Sequence, residues 1–418
     1  MLLDETRLDL QRSRGKAANH VRTSVGSALL MSMEDMVKRL PDNSIRVRTV
    51  HLEDVDPGLA SAWDDLESRA IEPNAYLSPH FILPALRHLG TEQESLVVLV
   101  EKSDLGASRL IGVGVFSICA PTIRFPLRHL QAYRSRHSYL TGMLVDREHA
   151  ESAIGSFLDF VSDSPFGLHG VEFSKWPIDR PINAAWRNAA LARGIPCYDY
   201  RHSPRAVLFP AQAGNAYVER HLSSSRRKDL RRRMRRLEER GKVGWRVIAG
   251  QDISDACLER FLVLEHLGWK GERGTSLRSR TADEAFFREM TLNLARTGRV
   301  VFTELLVGDE VIASTVNLIS GRAGFAFKLG RHPDFEWAAP GIVNEVELIR
   351  RAPELFHTID HLDSGAVPGS FLDELWEGRR LLASVAFGTT RLGGGALSAV
   401  HQLRRFKQGL NSYLGRVQ

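Results

Sequence analysis

The chain has 418 residues, 43% hydrophobic and 25% charged, with three cysteines and a formal net charge of +6. That length exceeds one ordinary core and points to two domains, and the composition excludes a disordered or collagen-like chain. Residues 226–242 hold ten basic and three acidic groups, or +7, so everything else sums to −1; the charge is one inserted basic element, not the broad basic face of a polyanion binder.

Cys119, Cys197 and Cys257 are far apart and lack the spacing of a disulfide framework or zinc site, so no metal is expected and buried thiols in a reducing compartment are. No apolar run approaches the ~20 residues of a membrane span. Residues 1–40 carry Asp4 and Glu5 and only a short apolar patch, which reads as a mobile extension rather than a secretory signal, with Met31 or Met33 as alternative starts. The expected location is cytoplasmic.

Residues 45–50 read as a strand. The next stretch has helical spacing through Leu59, Trp63 and Leu66, and Ser78-Pro79 opens a second helix. Two strands joined around Gly106 follow, then an irregular basic and aromatic stretch (124–140), a strand near residue 143, and a helix over 149–163. A strand, a helix (183–193) and the strand-like RAVLFP end the first half. Residues 223–242 place Leu230, Met234 and Leu237 at i, i+4 and i+7, a basic amphipathic helix ended by Gly241.

The second half repeats the rhythm: the strand WRVIAG, a helix capped by Ser254, a second helix, a three-strand meander, a helix opened by Pro340-Gly341, then strand, short helix and strand. The expected fold is α/β, a mixed sheet in two tandem domains: an extension (1–40), a degenerate N-terminal domain (41–215), a basic linking helix (216–243), the working domain (244–390) and a helical tail (391–418).

LGWKGERGTSL (267–277), AFFRE (285–289), the pair around ELLVGDEVIAS, FKLGRHPDFEWAAPG (327–341) and IDHLDSGAVPGSFLDELW (359–376) resemble, in order and spacing, the BioF2-like/CelD group of GNAT acyltransferases, related to Fem peptidyltransferases. The basic helix fits the S-x-R-x-x-L-x-R-x-x-R-R-L-E-x-x-G helix that precedes this domain. The resemblance covers residues 216–390; over residues 45–215 it is one of arrangement only. It implies two tandem GNAT-like (acyl-CoA N-acyltransferase) domains and transfer from acetyl-CoA or a longer acyl-CoA to an amine. The acceptor implied is a sugar or other small-molecule, lipid-linked or polysaccharide-linked cell-envelope precursor. Where the family often has an acidic residue this chain has His332, which bears on acceptor choice or pH optimum, or is simply a solvent-exposed loop histidine.

A helix N-terminus favours a pyrophosphate, which assigns Pro340, Gly341, Ile342 and Val343 to the cofactor. The strand before it assigns Lys328 and Leu329, with an amide near Leu329 as oxyanion donor. In TIDHLD, Asp363 is the preferred base, followed by Asp360, His361 and His332. An Asp before Ser-Gly also serves turns, and both readings stay open. On the catalytic reading, Asp363→Asn abolishes turnover and leaves CoA binding intact. Trp269, Lys270 and Gly271 fit an acceptor loop, or equally a buried Trp anchor with turn glycines. Arg226 and Arg227 fit phosphates of CoA or of a lipid-linked acceptor, or peripheral contact with an anionic membrane, or a solvated face. Nucleic acid is not the expected partner: the basic run lacks interleaved aromatics and any helix-turn-helix or zinc-finger pattern. The alternatives are a Fem-like aminoacyl-tRNA-dependent transferase and a non-enzymatic nucleic-acid binder.

Overall fold

A computed structural model describes residues 44–90, 95–104, 107–163 and 167–414; the extension expected over residues 1–40 and the turn at Gly106 lie outside the described residues. The first half runs β1 (Ile45–Val50), α1 (Pro57–Ser68), α2 (Pro79–Leu89), β2 (Ser95–Asp104), β3 (Ala107–Cys119), β4 (His129–Ala132), β5 (Leu144–Val145), α3 (Ala150–Ser162), β6 (Val171–Pro177), α4 (Pro181–Leu191) and β7 (Cys197–Leu208). Two helices, α5 (Asn215–His221) and α6 (Ser224–Glu238), lead into the second half. It runs β8 (Val243–Ala249), α7 (Asp255–His266), α8 (Trp269–Glu272), α9 (Thr281–Arg296), β9 (Val300–Val307), β10 (Glu310–Ser320), β11 (Ala323–Arg331) and α10 (Pro340–Leu355). It closes with β12 (His361–Asp363), α11 (Leu372–Leu375), β13 (Gly378–Phe387) and α12 (Arg391–Leu414).

Local chemistry accounts for the helix starts. Asp56 accepts from the Leu59 amide at 2.7 Å with Pro57 at the first helical position, and Trp63 and Leu66 are buried as their spacing predicts. Ser78 precedes Pro79 as expected but makes no side-chain cap bond, so the proline alone marks that start. Ser254 accepts from Cys257 N at 3.4 Å. The basic helix α6 is capped by Ser223 and buries Leu230 and Leu237, the predicted stripe. The stretch read as irregular contains β4, whose four residues are too few to show a period. β7 starts eight residues before RAVLFP.

The described strands form one 13-stranded sheet, ordered β1-β2-β3-β4-β6-β13-β7-β12-β11-β10-β9-β8, with β5 paired to β3. The halves exchange their last strands. β13 lies between β6 and β7, antiparallel to both, while β7 lies between β13 and β12. The two halves are therefore not self-contained on either side of residues 216–243.

One hydrophobic cluster draws on α1 and α2 of the first half together with α7 and α9 of the second; Phe81 meets Phe286 edge to face at 5.1 Å. A second cluster lies under α3 and α4, and a third under α5, α6 and α10. Charged groups also cross the seam: Arg299 Nη1 donates to Glu67 at 2.8 Å, Ser320 Oγ donates to the same carboxylate at 2.6 Å, and Arg299 also pairs with Asp64.

Candidate active site

β11 and β12 are parallel for three pairs, Ala323↔His361 to Phe325↔Asp363, and then separate. β11 continues to Arg331, and the chain returns through Ala339, in the left-handed region at φ 49, to start α10 at Pro340. A Cβ on Gly341 would come within 3.0 Å of Leu329 Cδ2, so the helix start sits directly on the strand end. On the other side a Cβ on Gly330 would meet the Glu265 amide nitrogen at 3.0 Å. Between these close approaches opens a cleft of about 670 Å³, lined among others by Trp269, Lys270, Leu329, Gly341, Ile342 and Phe371. Segments far apart in sequence, all singled out from it, thus meet at one cavity.

Lys270 does not reach out to an acceptor. Its Nζ donates to the Leu329 carbonyl at 2.6 Å and to Glu265 Oε1 at 3.0 Å, while Glu265 Oε2, fully buried, accepts from the Leu277 amide at 2.9 Å. The lysine fixes the end of β11 to the loop after α7. Gly271 is a packing glycine: a Cβ there would lie 2.1 Å from the His266 carbonyl oxygen. Trp269 is 45% exposed at the rim with the Arg273 guanidinium 5.2 Å from its ring centroid, which rules out the buried-anchor reading.

Asp363, the expected base, is fully buried and away from the cleft lining. It accepts from Arg380 Nη1 at 2.8 Å, Arg205 Nη1 at 3.4 Å and the Gly365 amide at 2.8 Å. Burial alone would raise its pKa, but Arg205, Arg380 and that amide together hold it below the ordinary carboxylate range. A dry carboxylate held between two guanidiniums is a poor proton acceptor. Asp360 is exposed and paired with Arg322 at 2.5 and 2.9 Å. His361 is buried, and burial followed by Arg380 and Arg180 pushes it down to about 4, so it stays neutral. His332 accepts from the Asp334 amide at 3.3 Å and faces Glu310 at 3.5 Å, in the loop before α10. None of the four expected proton-transfer residues lines the cleft.

Of the expected cofactor residues, Leu329, Gly341 and Ile342 line it. Pro340 is buried in the first turn, and Val343 lines a groove behind α10 instead. Lys328 lies toward the first half, its Nζ 5.6 Å from the Tyr139 ring centroid. Ala339 and Ile342 also border a second depression of about 580 Å³, formed with Ser223, Ser225, Arg226 and Arg233 of the α6 end. Arg226 therefore stands beside the helix start, paired with Glu374. Arg227 is taken up structurally: it donates to the Glu219 and Leu222 carbonyls and closes the end of α5.

Sequence reasoning missed Tyr139 and Lys175 of the first half. Lys175 has the left-handed backbone angle φ 51 and lies where the register of β6 against β13 shifts, between the Phe173 and Trp176 pairs, which nothing in FSKW announces.

Residues 224–371 match the family model described as an acetyltransferase (GNAT) domain. Among solved structures, FemX superimposes with a TM-score of 0.52 at 10% identity, over 78% of this chain and 95% of FemX. The C-terminal domain (DUF2156) of a putative lysylphosphatidylglycerol synthetase from Agrobacterium fabrum gives 0.48 at 12% identity, over 81% of this chain and 93% of that one. A tandem GNAT protein from the clavulanic acid biosynthesis pathway gives 0.39 at 11% identity, over 82% and 98%. No curated protein matches the chain. The family match falls on the half that contains the cleft, and the FemX likeness extends the shared fold over both halves. Residues 224–371 are thus similar to GNAT acetyltransferase domains, and over both halves the chain shares the fold of FemX in one continuous sheet.

Proposed function

We propose that this chain transfers the acyl group of acetyl-CoA or a longer acyl-CoA to an amino group on a sugar or other cell-envelope polysaccharide precursor. The observation that carries this reading is the cleft where the end of β11 meets the first turn of α10. Pro340 has no N–H and the Ile342 amide donates to the Ala339 carbonyl at 2.9 Å, so a pyrophosphate at this helix start is favoured by the helix dipole and the Gly341 amide. The depression beside Ser223 and Arg226 continues from the same two-residue border and suits the nucleotide end of CoA. The pantetheine arm then runs along Leu329 toward the point where β11 and β12 part.

There the neutral amine attacks the thioester carbonyl. The C–N bond forms, the C–S bond breaks, the amine's extra proton leaves, and CoA departs as its thiol. Lys270 serves this step indirectly, by holding the Leu329 peptide in place from its carbonyl side. Equilibrium binding of acetyl-CoA and longer acyl-CoAs to the full chain tests the reading. Dissociation constants in the micromolar range are expected, and no binding at about 1 mM would overturn it.

The FemX likeness favours a second reading, in which an aminoacyl group comes from tRNA. A tRNA complex that weakens steeply with salt, in a protein that does not bind CoA, would select it.

A further inference from the structure

The parting point of β11 and β12 opens toward the first half, and Tyr139 stands there. A Cβ on Gly365, just after β12, would lie 2.7 Å from Tyr139 Cδ2 and 2.5 Å from the Ala326 carbonyl oxygen, so ring, turn and strand are in direct contact. Arg205 Nη1 donates to the Tyr139 carbonyl at 2.8 Å and fixes this segment. Two lysines converge on the ring, one from each half. Lys175 Nζ of β6 is 5.5 Å from its centroid, and Lys328 Nζ of β11 is 5.6 Å from it.

The charges around this ring do not balance. Asp363 is taken up by Arg205 and Arg380, and Asp283 by Arg136 at 3.1 Å and His137 at 3.2 Å. Lys175 donates only to the Ser138 carbonyl, at 3.3 Å, and Lys328 has ring contacts alone among the described residues. Both side chains are half-buried. Burial, then Arg205 and Arg134, push Lys175 down to about 8, as befits an ammonium that lacks a counter-ion. Its left-handed backbone is a cost that the surrounding sheet must sustain. Two ammoniums held at one aromatic ring, with neighbouring carboxylates already engaged, offer charge-assisted donors to an anion.

We propose that Lys175 and Lys328 clamp an anionic group, carboxylate or phosphate, of the acyl acceptor beside the Tyr139 ring, so that the substrate is an anion-bearing amine. This rests on the acyltransfer reading for the role of the ligand, but the clamp stands on its own geometry. It also gives the first half a part in catalysis: that half supplies one jaw of the acceptor site.

The test is calorimetric titration of the full chain with O-phosphoethanolamine, 3-aminopropionate and ethanolamine, each with and without acetyl-CoA. Either anionic amine should bind at least about tenfold more tightly than ethanolamine, and the tighter of the two tells phosphate from carboxylate. Lys175→Met and Lys328→Met should each erase that preference while acetyl-CoA affinity stays within about twofold, and the Arg substitutions should retain it. On the wild-type protein, O-phosphoethanolamine should slow acetylation of these two lysines by sulfo-NHS-acetate, read by peptide mapping, and ethanolamine should not. Ethanolamine binding as tightly as the anions, no anion binding at about 10 mM, or unprotected lysines would each overturn the clamp. Lysine-dependent anion binding without acetyl-CoA binding would support the clamp and overturn the acyl-CoA reading alone.

Discussion

Asp363 and Glu345 show how differently two fully buried carboxyls can be used. Asp363 is charged, and its environment keeps it so. Replacing it with Asn would leave Arg205 without its carboxylate and Arg380 with Glu72 alone, a loss of about 3–5 kcal/mol for a broken buried pair. Thermal melting of Asp363→Asn should show that loss directly. A variant with native stability and abolished turnover would restore the role of base. Glu345, on α10, has only the Trp376 indole N–H at 3.1 Å as a side-chain partner among the described residues, and burial pushes it up to about 7. The native state therefore holds a proton that the unfolded chain releases near pH 4.5. Its contribution is fully present below that pH and fades as pH rises through 7, by about 3 kcal/mol in all. Glu345→Gln keeps an acceptor for the indole and cannot ionise. The stability of wild type relative to this variant should fall by most of that amount between pH 5 and pH 8, and a constant difference would refute the assignment.

Among the elements, α10 and the β11 end behave as one unit because glycine lets them touch. Gly341→Val would drive a branched side chain into Leu329, forcing the helix start away from the strand. Acyl-CoA affinity should drop at least about tenfold with a smaller change in melting temperature, since the core face of α10 is untouched. Binding unchanged by this substitution would remove the helix start from the donor site. The basic helix α6 belongs to the same neighbourhood. Arg233 donates to the Trp337 carbonyl at 2.8 Å and Arg236 lies 4.6 Å from the Trp337 ring centroid, so the helix braces the loop that leads into α10. Arg231, Arg232 and Arg235 are exposed, as a solvated face would be.

The helix starts, the meander and the segments around 267–277 and 327–341 were legible in sequence because each is written in local chemistry: proline at a first turn, a stripe of apolar residues, glycines where backbones approach. The ion pairs of Asp363 were not legible because its two partners lie on β7 and β13, strands whose neighbours no local pattern reveals. Lys175 went unnoticed for the same reason. The cleft was recoverable from the sequence; the ion pairs behind it were not, since they depend on long-range pairing alone.

At the scale of the molecule, the exchange of β7 and β13 joins the halves through the sheet, and the shared cluster under α1, α2, α7 and α9 joins them through a core. A fragment beginning at residue 216 would lose β6 and β7, leaving β13 with neither of its neighbours and β12 as a raw edge, and such strands recruit other chains. Expressed alone it should aggregate or stay unfolded, whereas co-expression with residues 44–215 should rescue a soluble complex. A monomeric, cooperatively melting fragment would argue against this account. In the intact chain, denaturant unfolding followed by near-UV and far-UV signals should give one coincident transition.

The same exchange sets a timetable during synthesis. β7 leaves the ribosome about 170 residues before β13, the strand that must enter between it and β6. At ordinary elongation rates that gap lasts roughly 10–35 s, during which the first half waits with an open slot in its sheet. The nascent chain is then a standing target for chaperones that recognise unpaired strands, and the last strand made is the one that releases it.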